Sequence, residues 1–171
     1  DSEHWQYSAG SGCQLYNGVF ALQPSSEAEA ESALQENLHI YKDAEFNGGT
    51  VGSTTFNNGT ISNGTFQKSV TNSKTISDGI FQEKVANFQT ISGGTFEEVV
   101  EMNESTEVAT IEGGTFKKDI ELNAYSPAIT DGLFDGKVSA AEDYSGMLML
   151  SISGGLFTNA AAISTISPSN L

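Results

Sequence analysis

Nine of the ten phenylalanines in this chain occupy one slot of a repeated seven-residue phrase. The phrase is clearest in Thr90-Ile91-Ser92-Gly93-Gly94-Thr95-Phe96 and recurs at Thr60–Phe66, Thr75–Phe81 and Thr110–Phe116. Looser copies end at Phe20, Phe46, Phe56, Phe134 and Phe157. Each copy has a large apolar residue five positions before the Phe, as with Ile61, Ile76, Ile91 and Ile111. Seven of the nine have a Gly two positions before it. A phrase repeated at short intervals specifies stacked units, each burying its apolar side chains against the next.

The phrase reads as strand, corner, strand. Thr-Ile-Ser alternates outward, inward, outward. Pairs such as Asn63-Gly64, Asp78-Gly79 and Gly93-Gly94 allow positive φ and a tight corner. Thr-Phe then starts a second strand with Phe inward, and a further apolar residue follows four positions on (Val70, Val85, Val100, Ile120, Val138). Three inward columns predict a triangular or L-shaped coil. Phe-to-Phe intervals of fifteen suit three five-residue sides, and longer ones suit the same coil with loops inserted. The ten-residue intervals around Phe56 are too short for a turn, so Phe46 to Phe66 reads as two sides of a larger one. The expected fold is a single parallel β-solenoid with stacked Phe and Ile columns. Its core is expected to contain Phe46, Phe56, Phe66, Phe81, Phe96, Phe116, Phe134 and Phe157.

Residues 1–13 read as an N-terminal plug, 14–157 as solenoid, and 158–171 as a terminal strand (Ile163 to Ile166) or tail. Within the solenoid, 25–38 reads as a helical insertion. Ser26-Glu27-Ala28-Glu29 fits a capping box, and Ala30, Ala33, Leu34 and Leu38 share one helical face, which suits a short capping helix over the column's end. The open ends of such a stack invite end-to-end or edge self-association.

The net charge is −15, and all seven bases are Lys. An acidic chain without Arg is a poor partner for nucleic acid or anionic membrane, and no apolar run is long enough to span a bilayer. The single Cys13 reads as a small buried residue. No signal peptide stands at Asp1, which fits a cytosolic chain or a mature or trimmed piece. The Ser-, Thr-, Asn- and Gly-rich composition favours a secreted bacterial surface protein, so the expected location is extracellular or cell-surface.

Thr-Ile-Ser-Gly-Gly-Thr-Phe and Asn58-Gly59-Thr60-Ile61-Ser62-Asn63-Gly64-Thr65-Phe66 resemble tandem repeats in large surface or secreted proteins of Gram-positive gut bacteria. A looser likeness is to the Gly-Gly-rich repeats of autotransporter adhesin passengers. The resemblance covers about Gln14 to Phe157. It implies a parallel β-solenoid serving adhesion, display or cell-wall association, and it brings no catalytic motif.

Chemistry-bearing candidates are sparse. Only His4 and His39 could act as an imidazole base, and no Gly-x-Ser-x-Gly elbow is present. Asp131, Asp135, Glu142 and Asp143 could meet around one Ca²⁺ or form a solvated acidic edge; no metal or other cofactor is expected. The outward slot after Phe holds Glu97, Lys117 and Asp135. They form a catalytic candidate column if the chain is a carbohydrate-active lyase or hydrolase, and a salt-bridged ladder otherwise. Trp5 could serve a sugar platform. Thr60/Ser62, Thr75/Ser77 and Thr90/Ser92 form a ladder like the ice-contacting face of antifreeze solenoids. Asn58, Asn63 and Asn103 head glycosylation-type triplets that read first as corner devices. The resulting expectation is a non-enzymatic surface module for adhesion or display, with a glycan or a host or cell-surface protein as partner. A carbohydrate-active enzyme and an ice-binding solenoid are the alternatives.

Overall fold

A computed structural model describes residues 4–8, 12–21 and 37–159, with side chains from Cys13 onward within those ranges. The chain opens with β1 (His4–Ser8), β2 (Gly12–Phe20), β3 (Leu38–Val51), β4 (Thr55–Asn57) and β5 (Thr60–Phe66). β1 lies antiparallel on β2, and every later pairing is parallel. The result is an all-β parallel solenoid of about six turns, with no helix among the described residues.

Each regular turn has three sides. Side A carries Val-x-Asn, side B Thr-Ile and side C Thr-Phe. Side A stacks Leu38, Thr55, Val70, Val85, Val100, Ile120 and Val138 in register. Side B stacks Phe46, Ile61, Ile76, Ile91, Ile111, Ile129 and Ile152. Side C stacks Val51, Phe66, Phe81, Phe96, Phe116, Phe134 and Phe157. From Phe66 to Phe157 successive rings are 4.7–5.0 Å apart and nearly parallel. That is the spacing between paired strands, so the backbone ladder dictates the face-to-face ring stack. Each fully buried ring removes enough apolar surface from water to contribute about 2–3 kcal/mol.

The glycine before Phe has a steric basis. Gly64 and Gly79 have φ of 128° and 131°. A Cβ at Gly64 would stand 2.8 Å from the Phe46 ring, and one at Gly79 would stand 3.1 Å from the carbonyl oxygen of Gly64. A side chain there would strain the backbone and strike the turn below.

Four expectations are corrected. Phe56 is not a core residue: it points outward from side A, half-buried, with its ring stacked on His39 at 4.9 Å. Phe46 is buried but stands in the Ile column by register, opposite Ile61, while Val51 takes the Phe position opposite Phe66. The first turn therefore exchanges large and small residues between two columns. The Phe46 ring restores the lost volume by meeting Phe66 edge-on at 5.5 Å. The capping helix is not supported. Leu38, its expected end, is a buried residue of β3, because Leu38 and Ile40 alternate inward as a strand requires; residues 25–36 lie outside the described residues. Finally, the inward columns number four, not three. Asn57, Asn72 and Asn87 are fully buried on side A, in line with Ile40 before them and Met102 and Leu122 after them. Phe157 closes the described stack and is only partly buried. The stretch from Ile163 to Ile166 lies outside the described residues.

The asparagines form an internal ladder. Asn57 Nδ2 donates to Asn72 Oδ1 at 2.7 Å, and Asn72 Nδ2 to Asn87 Oδ1 at 2.7 Å. Each also holds its own corner or the next: the Gly59 amide donates to Asn57 Oδ1 at 3.0 Å, and Asn57 Nδ2 donates to the Thr75 carbonyl at 2.9 Å. Beside this satisfied column, Thr55 Oγ1 is buried without a hydrogen-bond partner.

Two pairs of substitutions test this account by chemical denaturation. Phe96→Ala, with a ring on each face, is expected to cost about 3–5 kcal/mol; Phe56→Ala is expected to cost less than half as much, and equal costs would refute the column assignment. Thr55→Val is expected to stabilise by about 1 kcal/mol, since it removes an unpaired hydroxyl from a Val column. Asn72→Leu is expected to destabilise by about 2–3 kcal/mol, because it strands polar groups in the turns on either side.

Candidate functional site

From Thr55 onward the uneven turn lengths have one source. Six residues separate the side-A apolar residue from the side-B isoleucine in the turns starting at Thr55, Val70 and Val85. The same step takes eleven residues from Val100 to Ile111, nine from Ile120 to Ile129 and fourteen from Val138 to Ile152. The steps from side B to side C and from side C to side A stay at five and four throughout these turns. All three insertions therefore fall on one corner, in three consecutive turns, and stack on one another.

This corner is ordered by its own packing. From Met147 to Leu150 the chain alternates: Leu148 and Leu150 are buried, while Met147 and Met149 face outward. The Met149 amide donates to the Tyr125 carbonyl at 2.6 Å, and the Tyr125 hydroxyl donates to Met149 Sδ at 3.0 Å. The Tyr144 hydroxyl donates to the Met147 carbonyl at 2.9 Å. Its pKa is raised, first by removal from water and then by the nearby Glu104 carboxylate and Tyr125. The first insertion is tied to the turn below through Ser105 Oγ, which donates to the Phe88 carbonyl at 2.8 Å. Between the first two insertions lies a cavity of ≈ 150 Å³ lined by Glu104, Glu107, Val108, Tyr125 and Ser126, among others.

The corner exposes apolar surface that the other sides keep scattered. Val108 is 50% exposed, Tyr125 46%, Met147 65% and Met149 53%. Single exposed apolar residues are ordinary on any surface, whereas a contiguous group on ordered loops marks a contact surface. Glu104, Glu107, Glu142 and Asp143 stand on the same loops, which contain no Lys.

The residues singled out in the sequence are placed elsewhere. Glu97, Lys117 and Asp135 fall on consecutive turns of side C, their amides bonded to the carbonyls of Phe81, Phe96 and Phe116. Both Glu97 carboxylate oxygens accept from Lys117 Nζ, at 2.8 and 2.9 Å, and Asp135 accepts from the Thr158 hydroxyl at 2.8 Å. Lys117 thus stands between the two carboxylates and neutralises one. Comparable pairs join Lys68 to Glu83 at 2.8 Å and Lys84 to Glu101 at 2.9 Å; the hydrogen bond that Lys84 donates to Glu101, and then the Glu101 charge, raise the Lys84 pKa. The column is a charge-paired ladder on an open side.

Thr60, Thr75 and Thr90 stand in register on side B, and Thr110 Oγ1 donates to Thr90 Oγ1 at 3.3 Å. The hydroxyls of Ser62, Ser77 and Ser92 turn back to the carbonyls of Phe46, Ile61 and Ile76. Glu45 and Glu112 bound this face at its two ends. Trp5 stands in β1 opposite Leu15, and its side chain lies outside the described residues. Asp131, Asp135 and the Glu142/Asp143 pair lie on different parts of the coil. No group of three or more His, Cys, Asp or Glu that could hold a metal ion occurs among the described residues. Asn63 serves its corner, its Oδ1 accepting from the Gly64 amide at 2.8 Å.

Comparison with known proteins found no matching family, no matching curated relative and no matching solved structure. No described helix is long and apolar enough to cross a membrane.

Sequence reasoning did not single out the inserted corner. Its signal was present: from Phe96 onward the long Phe intervals gain all their extra residues between Val or Ile of side A and Ile of side B, and those residues include Tyr125, Tyr144, Met147 and Met149.

Proposed function

We propose that this chain is a non-enzymatic extracellular surface module for adhesion or display, and that its inserted corner contacts the partner. The observation that carries the reading is the confinement of every insertion in the last three turns to one corner. Loops held on a rigid scaffold are the usual place for recognition, and in stacked-repeat proteins insertions map to one face, often the binding face. The paired Lys–Glu ladder of side C and the back-bonded serines of side B leave those sides with their polar groups satisfied internally. The insertion loops combine anchored backbone with outward Met, Tyr and Val side chains. The partner is a glycan or a cell-surface protein, and the acidic, Ser- and Thr-rich surface suits an extracellular setting.

The test is a variant lacking residues 104–108, 124–126 and 141–148, which returns all three turns to the regular fifteen-residue length. The intact and trimmed chains are screened on a glycan array and a panel of purified cell-surface proteins. With folding verified by circular dichroism and cooperative unfolding, the intact chain is expected to bind a glycan or protein target. The trimmed chain is expected to lose at least about tenfold in affinity, roughly 1.4 kcal/mol. Equal binding by both chains, or none by the intact chain on either array, would overturn the reading.

A further inference from the structure

The geometry points to a specific class of partner for the inserted corner: we infer that it binds a cationic, aliphatic protein segment, with apolar anchors seated on Tyr125, Met147 and Met149 and basic side chains facing Glu104 and Glu107. This rests on the reading of the corner as the contact element and adds the chemistry of what it contacts.

Charge complementarity is the first argument. The seven lysines fall at 42, 68, 74, 84, 117, 118 and 137, and none lies on the three insertion loops. Three carboxylates elsewhere are matched by a lysine, Glu83 by Lys68, Glu97 by Lys117 and Glu101 by Lys84, whereas no lysine stands within the inserted corner to do the same. Glu104, Glu107, Glu142 and Asp143 have no ion-pair partner among the described residues. Glu104 and Glu107 stand beside apolar groups rather than fronting open solvent alone. The Glu104 charge reaches the partly buried Tyr144 hydroxyl, and Glu104 and Glu107 share one cavity wall with Val108 and Tyr125. A ligand that seats an apolar group there displaces water beside these carboxylates, so it must bring its own positive charge to avoid leaving them desolvated and unpaired.

The apolar component is the second argument. Met147 and Met149 project from a segment whose alternate residues, Leu148 and Leu150, are locked in the core. The shelf is therefore fixed in its backbone and, through Met149 Sδ, on Tyr125, while the Met147 thioether can adapt to differing aliphatic shapes. Tyr125 adds a rigid aromatic edge, already oriented by its bond to Met149 Sδ. Little ordering is left to be done on this side of the contact, which favours affinity. Anionic partners, including acidic lipid headgroups, meet like charge at this corner and across a chain of net charge −15.

The test uses fluorescein-labelled dodecapeptides read by anisotropy on the full chain. One alternates Lys and Leu, one alternates Lys and Ser, and one alternates Glu and Leu. The Lys–Leu peptide is expected to bind at least about tenfold tighter than the Lys–Ser peptide, to weaken as salt is raised, and to have no Glu–Leu counterpart. The double variants Glu104→Gln/Glu107→Gln and Met147→Ser/Met149→Ser each change exposed side chains and leave Leu148 and Leu150 in place. Each is expected to weaken Lys–Leu binding by about fivefold or more. Equal binding of the Lys–Leu and Lys–Ser peptides would overturn the inference, because overall charge would then account for the contact. So would double variants that bind like the parent. If the trimmed chain loses its array target while all three peptides bind intact and trimmed chains alike, the corner stands as the contact element and the cationic–aliphatic assignment fails.

Discussion

Everything in this fold follows from in-register parallel pairing at a single strand spacing. In a parallel coil each side chain meets its counterpart one turn above and one below, so like must tolerate like. Phe rings stack at 4.7–5.0 Å because the strands carrying them sit at that distance. Ile lies over Ile and Val over Val for the same reason. Acids over acids repel at this distance: Glu101 and Glu121 are register partners on side A with Lys84 against Glu101, while on side C Lys117 sits over Glu97 and Lys68 beside Glu83. The first turn shows how much freedom the rule leaves. Phe46 and Val51 exchange sizes between two columns, and the core closes because the Phe46 ring reaches across to Phe66.

The architecture was legible because the repeat has a hard steric signature. All six phenylalanines from Phe66 to Phe157 in the stack have a glycine two residues earlier at positive φ. Phe46 and Phe56 lack it and stand outside the Phe column, whereas Phe20, paired with Phe46 in the Ile column, keeps its glycine at Gly18. From Val51 onward the glycine marks the register, since Gly49 two residues before Val51 holds the same positive-φ corner. The fourth column was missed for a different reason. Val70 and Asn72 are two apart on one strand and must share a face, but Asn is rarely found fully buried, and composition outweighed period. The helix reading of 25–38 used Leu38 at helical spacing, yet Leu38 also alternates with Ile40. An apolar residue at the junction of two patterns serves either.

The legible features were those of the scaffold, and the candidate site is what departs from it. Glu97, Lys117 and Asp135 were visible as a column because they keep the repeat's register. Tyr125, Met147 and Met149 break that register, so no period brings them together. Only the three-dimensional stacking of successive loops on one corner makes them neighbours. From Leu38 onward this solenoid separates the two roles along each turn: two corners are held constant to keep the columns aligned, and one is left to vary.

Why this corner varies is explained by the asparagine ladder. A six-residue step bends the chain so tightly that its own amides and carbonyls need internal partners. Asn57 accepts from Gly59, Asn72 accepts from Lys74, and Asn87 donates to the Gln89 carbonyl. Each Asn also reaches the side-B strand of the next turn, at Thr75, Thr90 and Thr110. The ladder occupies the three tight turns and stops where the corner lengthens. Met102 and Leu122 then fill the column, because a longer loop satisfies its backbone through its own bonds, as Glu107 does with Ser105 Oγ. The other corners offer no such exchange. At Gly79 and Gly94 a carbonyl of the previous turn lies 3.1 Å from where a Cβ would stand, so even one side chain there would press successive turns apart beside the Phe stack. The buried asparagine is thus the residue that decides whether a turn is closed and structural or opens into a loop.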